Sequence, residues 1–355
     1  MGVSIAESSI FAVEIAVLGP VISLALALTV LGFYILLFAM STYFLSKHKS
    51  VFRRRLHLVW TTTLFFITTF GAIINAASGI MDTVIMYTAV RTQDFQPFIE
   101  YSTHDNTQTA ILGITYTFLI VANVIADSVL IHRCYLVWGS RKWVLILPIL
   151  ASTVINSVGL AAAGMRTKGK ADTSIESNFQ LYNKGIHYQL AFYYANAVVN
   201  FILTLMIAGR IWWVGRQTQA SLGYSRESRI LNDKYMAIIA ISLECGILYP
   251  IALIVHAAVE GNTDKISIPV NLTPVVIQFA GIAPTLIIVR TCFGNSITEK
   301  IVSSQNTTSS TLRYDSSLGS SRNIPNIHSI TQTQTASRSN LEVQIEEQKT
   351  VRLGV

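Results

Sequence analysis

Two carboxylates lie inside apolar runs, where ionisable groups are costly and by default mark function. Asp127 is the first. Nothing from Gln108 to Ala126 is charged, and Asp127 is followed by Ser128-Val129-Leu130-Ile131 before His132-Arg133-Cys134-Tyr135. On a helix this puts the carboxylate roughly 7 Å inside the basic end of the run. Arg133 on the same helix and Arg210 two runs later stand at a similar depth. A pairing of Asp127 with either one predicts a latch that breaks on activation, or a buried pair that simply pins two helices. Glu244 is the second carboxylate, near the middle of a later run with no Lys or Arg at its depth. The expectation for Glu244 is a neutral acid, hydrogen-bonded to an amide or facing a hydrated cavity. His256, three turns further along, either lines a ligand mouth or meets lipid headgroups.

Amides accompany these groups. Asn123 and Asp127 are one turn apart and share a helix face, as do Asn196 and Asn200, while Asn75 and Asn156 fall in two further runs. Interhelical hydrogen bonds of roughly 0.6–2 kcal/mol each would hold a bundle together through such residues. No catalytic constellation is visible. Of the seven histidines, His48, His57 and His132 fall at one set of run ends, His104, His187 and His256 at the other, and His328 in the tail. No three converge on a metal, so neither a zinc site nor any cofactor is assigned. The last apolar run has no lysine for a retinal Schiff base. Asn271-Leu272-Thr273 matches a glycosylation sequon but lies too near the membrane to be one.

The elements that must position these residues are membrane helices. The chain is 51% hydrophobic and 13% charged, with a mean hydropathy of +0.49, about half the charge of an ordinary soluble domain. Seven uncharged or nearly uncharged runs reach the roughly 20 residues a bilayer crossing needs: 20–44, 58–80, 109–131, 143–165, 188–208, 235–259 and 268–289. The expected fold is an all-α seven-helix bundle over 15–292. A short extracellular tail (1–14) without a cleavable leader precedes it, and a Ser/Thr-rich disordered cytoplasmic tail (293–355) follows.

Orientation follows from loop charge. Lys47, Lys49, Arg53, Arg54 and Arg55, then Arg133, Arg141 and Lys142, then Arg210, Arg216, Arg226, Arg229 and Lys234 fall on one side. They outnumber Arg91, Arg166, Lys168, Lys170, Lys184 and Lys265 on the other. The amino terminus is expected outside and the carboxyl terminus in the cytoplasm, with the plasma membrane as the location. Trp60, Trp138, Trp143, Trp212 and Trp213 all favour the cytoplasmic interface. The net charge of +7 is thus explained by topology, and no nucleic-acid partner is expected.

The run Asn123-Val124-Ile125-Ala126-Asp127-Ser128-Val129-Leu130-Ile131-His132-Arg133-Cys134-Tyr135-Leu136-Val137-Trp138-Gly139 resembles a family of seven-span membrane proteins expanded in mushroom-forming fungi. Ala191-Phe192-Tyr193-Tyr194-Ala195-Asn196, Leu231-Asn232-Asp233-Lys234-Tyr235, the trio Glu244, Tyr249 and Pro250, and Pro269–Arg290 with its Thr273-Pro274 and Pro284 extend the resemblance to most of Leu58–Arg290. The family is similar in layout to G-protein-coupled receptors and carries no assigned ligand. His132-Arg133-Cys134 departs from the acid-Arg-aromatic triplet of rhodopsin-like receptors.

The resulting expectation is a non-catalytic orphan receptor or sensor. It would bind a small molecule or lipid in the outer half of the bundle, around Tyr193, Tyr194, Asn196, His256 and Glu244. Asp127, Arg133 and Arg210 would form the inner machinery, next to a cytoplasmic signalling partner. The alternatives are a transporter or channel using Asp127 and Glu244 as coupling carboxylates, and a scaffolding membrane protein.

Overall fold

The computed structural model describes residues 18–47, 54–139, 141–222, 226–266 and 270–290. The expected tails at 1–14 and 293–355 lie outside these. The described residues are helical with no strand: α1 (Gly19–Lys47), α2 (Arg54–Thr92), α3 (Gln96–His104), α4 (Asn106–Val137), α5 (Trp143–Lys170), α6 (Glu176–Leu222), α7 (Arg226–Glu260) and α8 (Thr273–Arg290). All but α3 are long and apolar enough to cross a membrane, so this is a multi-pass membrane protein in a lipid bilayer.

The burial pattern has the same cause. On α1, Gly19, Ser23, Ala27, Tyr34, Leu37, Ser41 and Leu45 are buried at helical spacing, while Val21, Leu28, Phe33 and Leu36 on the other faces are exposed. A water-soluble bundle would not present such a face; a lipid-facing helix does.

Helix ends are set by local capping signals, not by where apolarity stops. The Asp105 carboxylate accepts the Gln108 amide at 2.7 Å and starts α4. Gly139, at φ +66°, takes the left-handed position that ends it. Where such a signal is missing the helix runs on. Thus α2 has 39 residues and α6 has 47, about 58 and 70 Å at 1.5 Å per residue, against a hydrocarbon core of about 30 Å. The apolar runs 58–80 and 188–208 are only the middles of these helices.

Helix α8 lies in the interior, against α1, α2 and α7. Gln278 donates to the Ala27 carbonyl of α1 at 3.1 Å, and Ile277, Ala280 and Ala283 pack with Leu119 of α4 and Leu253 of α7 in the main core. The α5–α6 hairpin closes on glycines. A Cβ on Gly169 would stand 2.5 Å from the Tyr182 amide nitrogen, and one on Gly185 would stand 2.9 Å from the Arg166 amide nitrogen. These two backbones touch because neither residue has a side chain. Beside the hairpin, Lys170 donates to the Ser102 carbonyl at 2.6 Å and Thr173 to the Thr103 carbonyl at 3.0 Å, which ties α3 across this end.

Candidate functional site

Four helices each turn one polar stripe inward: Tyr116, Asn123 and Asp127 on α4; Ser152, Asn156 and Arg166 on α5; Gln189, Tyr193, Asn196 and Asn200 on α6; Tyr249, His256 and Glu260 on α7. The steps of three, four, seven and ten or eleven residues keep each set on one face. Together they form a polar column inside the bundle, wide at the Arg166 end.

At that end Arg166 and Glu260 form an ion pair, with Nη1 2.6 Å from Oε1 and side chains 7% and 19% exposed. The guanidinium lies over the Tyr116 ring at 4.6 Å and the Tyr182 ring at 5.4 Å and donates to Gln189 Oε1 at 3.3 Å. Gln189 in turn donates to the Tyr193 hydroxyl at 2.8 Å, and the Tyr193 ring meets His256 edge-on at 4.7 Å. His256 Nε2 stands 3.4 Å from Glu260 Oε2, close but not aligned as a hydrogen bond. Arg166 Nε, Glu260 Oε2 and both His256 nitrogens are buried without a hydrogen-bond partner among the described residues.

These groups line a cavity of about 360 Å³, together with Asp82, Gln108, Lys170 and Asn271. Buried polar atoms that lack partners cost about 1–3 kcal/mol each. A ligand with both a donor and an acceptor would match a lining that holds Arg166 and Lys170 beside Asp82 and Glu260. On the rim, Tyr101 donates to Asp82 at 2.6 Å; burial and that carboxylate push its phenol above the usual tyrosine range.

Deeper in the column lies the amide core. Asp127 Oδ2 accepts from Ser152 at 2.6 Å, Asn156 at 3.2 Å and Asn123 at 3.3 Å, and its Oδ1 from Asn200 at 3.3 Å. Asn123 is the hub: its nitrogen donates to Asn156 at 2.9 Å, and its oxygen accepts from Asn196 at 2.6 Å and Tyr249 at 2.9 Å. Tyr193 is one helical turn from Asn196 and His256 is two from Tyr249, so the vestibule stands directly on this network.

Several sequence expectations change. Asp127 has four neutral partners instead of Arg133 or Arg210, because α4 presents it to the α5–α6 side where only Ser and Asn reach it. Arg210 instead lies over Trp138 at 5.3 Å and Trp213 at 4.5 Å. Arg133 is not among the groups that bond the Asp127 carboxylate. No latch of these three residues forms.

Glu244 is not a neutral acid at mid-depth. It is 61% exposed and pairs through both oxygens with Arg290, the last residue of α8. The cation comes from another helix, so Glu244's own run does not contain it. Tyr194 is 45% exposed, facing away from the column, while its neighbour Tyr193 is fully buried; adjacent helical residues lie about 100° apart and cannot share a face. Asn75 sits at the edge of the cavity and accepts from Asn271 Nδ2 at 3.1 Å.

Sequence reasoning misses Arg166 and its partners Glu260 and Gln189, and also Ser152 beside Asp127. Arg166 reads as a loop cation in the sequence, yet it is buried on α5, where Lys168 and Lys170 are also helical. The one legible signal was spacing, since Arg166 continues the Ser152-Asn156-Gly159-Ala163 stripe. Comparison with family models, curated proteins and solved structures finds no match for this chain.

Proposed function

We propose that this seven-helix membrane protein is a non-catalytic receptor or sensor that takes a small ligand in the vestibule formed by Arg166, Glu260 and His256. The carrying observation is that a nearly buried ion pair, Arg166–Glu260, lines a polar cavity of about 360 Å³. A scaffold would gain nothing from keeping charged groups around such a space. The amide core beneath gives ligand binding a mechanical route: Tyr193, Asn196, Tyr249 and Asn123 join α4, α6 and α7, so a shift at His256 is felt at Asp127. In this reading the Arg166 end faces outward in the plasma membrane. The Arg133 end, with the Trp138–Arg210–Trp213 stack, faces the cytoplasm and a signalling partner.

The test is thiol accessibility in intact cells with a membrane-impermeant reagent. Gln108→Cys in the vestibule should react from outside, Arg141→Cys at the other end only after permeabilisation, and Asn156→Cys from neither side. Labelling of Asn156→Cys from both sides would replace the receptor by a carrier, and labelling of Arg141→Cys on intact cells would invert the topology.

A further inference from the structure

Asn75, Asp82 and Asn271 line two cavities, not one. The second, of about 330 Å³, lies between α1, α2 and the start of α8. Its remaining walls are mostly aliphatic, with Val21, Leu24, Ala27, Ala76, Ile80 and Val84 among them. Val21 and Val84 are 52% and 56% exposed, on helices whose outer faces meet lipid. A polar chamber therefore shares a wall with an apolar one at the bilayer surface, divided by the Asn75–Asn271 hydrogen bond at 3.1 Å.

We propose that the two chambers together bind a single-chain amphiphile with an electroneutral, hydroxyl-bearing head, which enters from the bilayer between α1 and α2. This rests on reading the vestibule as a ligand site.

Charge selects the head. Asp82 and Glu260 balance Arg166 and Lys170 around the vestibule, so a head with net charge leaves a surplus beside the nearly buried Arg166–Glu260 pair. Hydroxyls both donate and accept, which suits a wall that mixes the donors Arg166 and Lys170 with the acceptors Asp82 and Glu260. Size selects the tail, since the apolar chamber holds roughly ten carbons if each fills about the 30 Å³ of a liquid water. A second chain has no room. The site also offers a clean probe: a Cβ on Gly79, in the apolar wall, meets nothing within 4 Å. A side chain there grows into the chamber without displacing a neighbour.

The experiment uses the full chain in phosphatidylcholine nanodiscs with radiolabelled monodecanoylglycerol. Saturable binding is expected for the wild type, weakened at least tenfold by Gly79→Phe at an unchanged melting temperature, and weakened as much by Arg166→Met/Glu260→Gln. Decanoate should bind at least tenfold less tightly than monodecanoylglycerol, and so should glycerol. Should Gly79→Phe lower the melting temperature, Gly79→Leu takes its place. Absence of saturable binding, or binding that the Gly79 variant leaves unchanged, overturns the inference. Glycerol binding as tightly as monodecanoylglycerol also overturns it while leaving the vestibule standing. Loss in the Gly79 variant with no effect of the Arg166/Glu260 pair would instead remove the vestibule as the head site.

Discussion

The Arg166–Glu260 pair can be tested by a double-mutant cycle. Glu260→Gln keeps the shape and one acceptor for Arg166 Nη1 but removes the charge, stranding a guanidinium whose side chain is 7% exposed. Removing one partner of a buried pair costs about 3–5 kcal/mol. Glu260 is itself 19% exposed, so solvent screening brings the loss to just below that range, about 2–3 kcal/mol. Arg166→Met leaves Glu260 unpaired and forfeits the guanidinium contacts with Tyr116 and Tyr182, worth about 0.5–2 kcal/mol together, so its cost should be about 3–4 kcal/mol.

The double variant puts a thioether between the two rings and a neutral amide beside it. Replacing a whole buried pair by neutral groups is often nearly free. The double variant should therefore be no less stable than either single one, which makes the coupling at least about 3–4 kcal/mol. Unfolding free energies from denaturant titration in mixed micelles, followed by circular dichroism, give all four corners. Additive losses, with coupling below about 0.5 kcal/mol, would mean that the pair behaves as a solvated surface contact, and the vestibule would lose its anchor.

Other perturbations reach other parts of the molecule. Asp127→Ala removes the common acceptor of Ser152, Asn156, Asn123 and Asn200 and should cost about 2–4 kcal/mol in the same assay, since three lost interhelical bonds of about 0.6 kcal/mol each add to a stranded Ser152 hydroxyl; a loss below about 1 kcal/mol would show that the amide core does not hold the bundle. Gly169→Val drives side-chain carbon against the Tyr182 and Asn178 backbones and should cost at least about 1–3 kcal/mol, whereas Gly164→Val, where a Cβ meets nothing within 4 Å, should be nearly silent; equal melting temperatures would refute the close crossing. In the α5–α6 turn, hydrogen bonds from Ser174 and the nearby His104 hold the Asp172 carboxyl below the usual carboxylate range. A depressed carboxyl stabilises above its unfolded value and loses that contribution as pH falls through the folded one. Amide-exchange protection at Ser174 should thus be flat through neutral pH and fall only as pH drops through and below the usual carboxylate range; protection already lost at neutral pH would refute the contact.

Composition and run length alone determined that the chain crosses a bilayer with seven helices, because the hydrocarbon admits no other way to satisfy a single chain's backbone here. Side-chain spacing also placed Asn123 with Asp127 and Asn196 with Asn200, since a helix fixes which residues share a face. What the sequence left undecided was which faces meet. Asp127 found serine and asparagines instead of an arginine, Glu244 found Arg290 from another helix, and Arg166 moved from a loop tally into the centre of the vestibule. Depth along a helix follows from counting residues, but partners across a bundle depend on helix rotation and on close approaches such as Gly169 against Tyr182. Only tertiary packing fixes those.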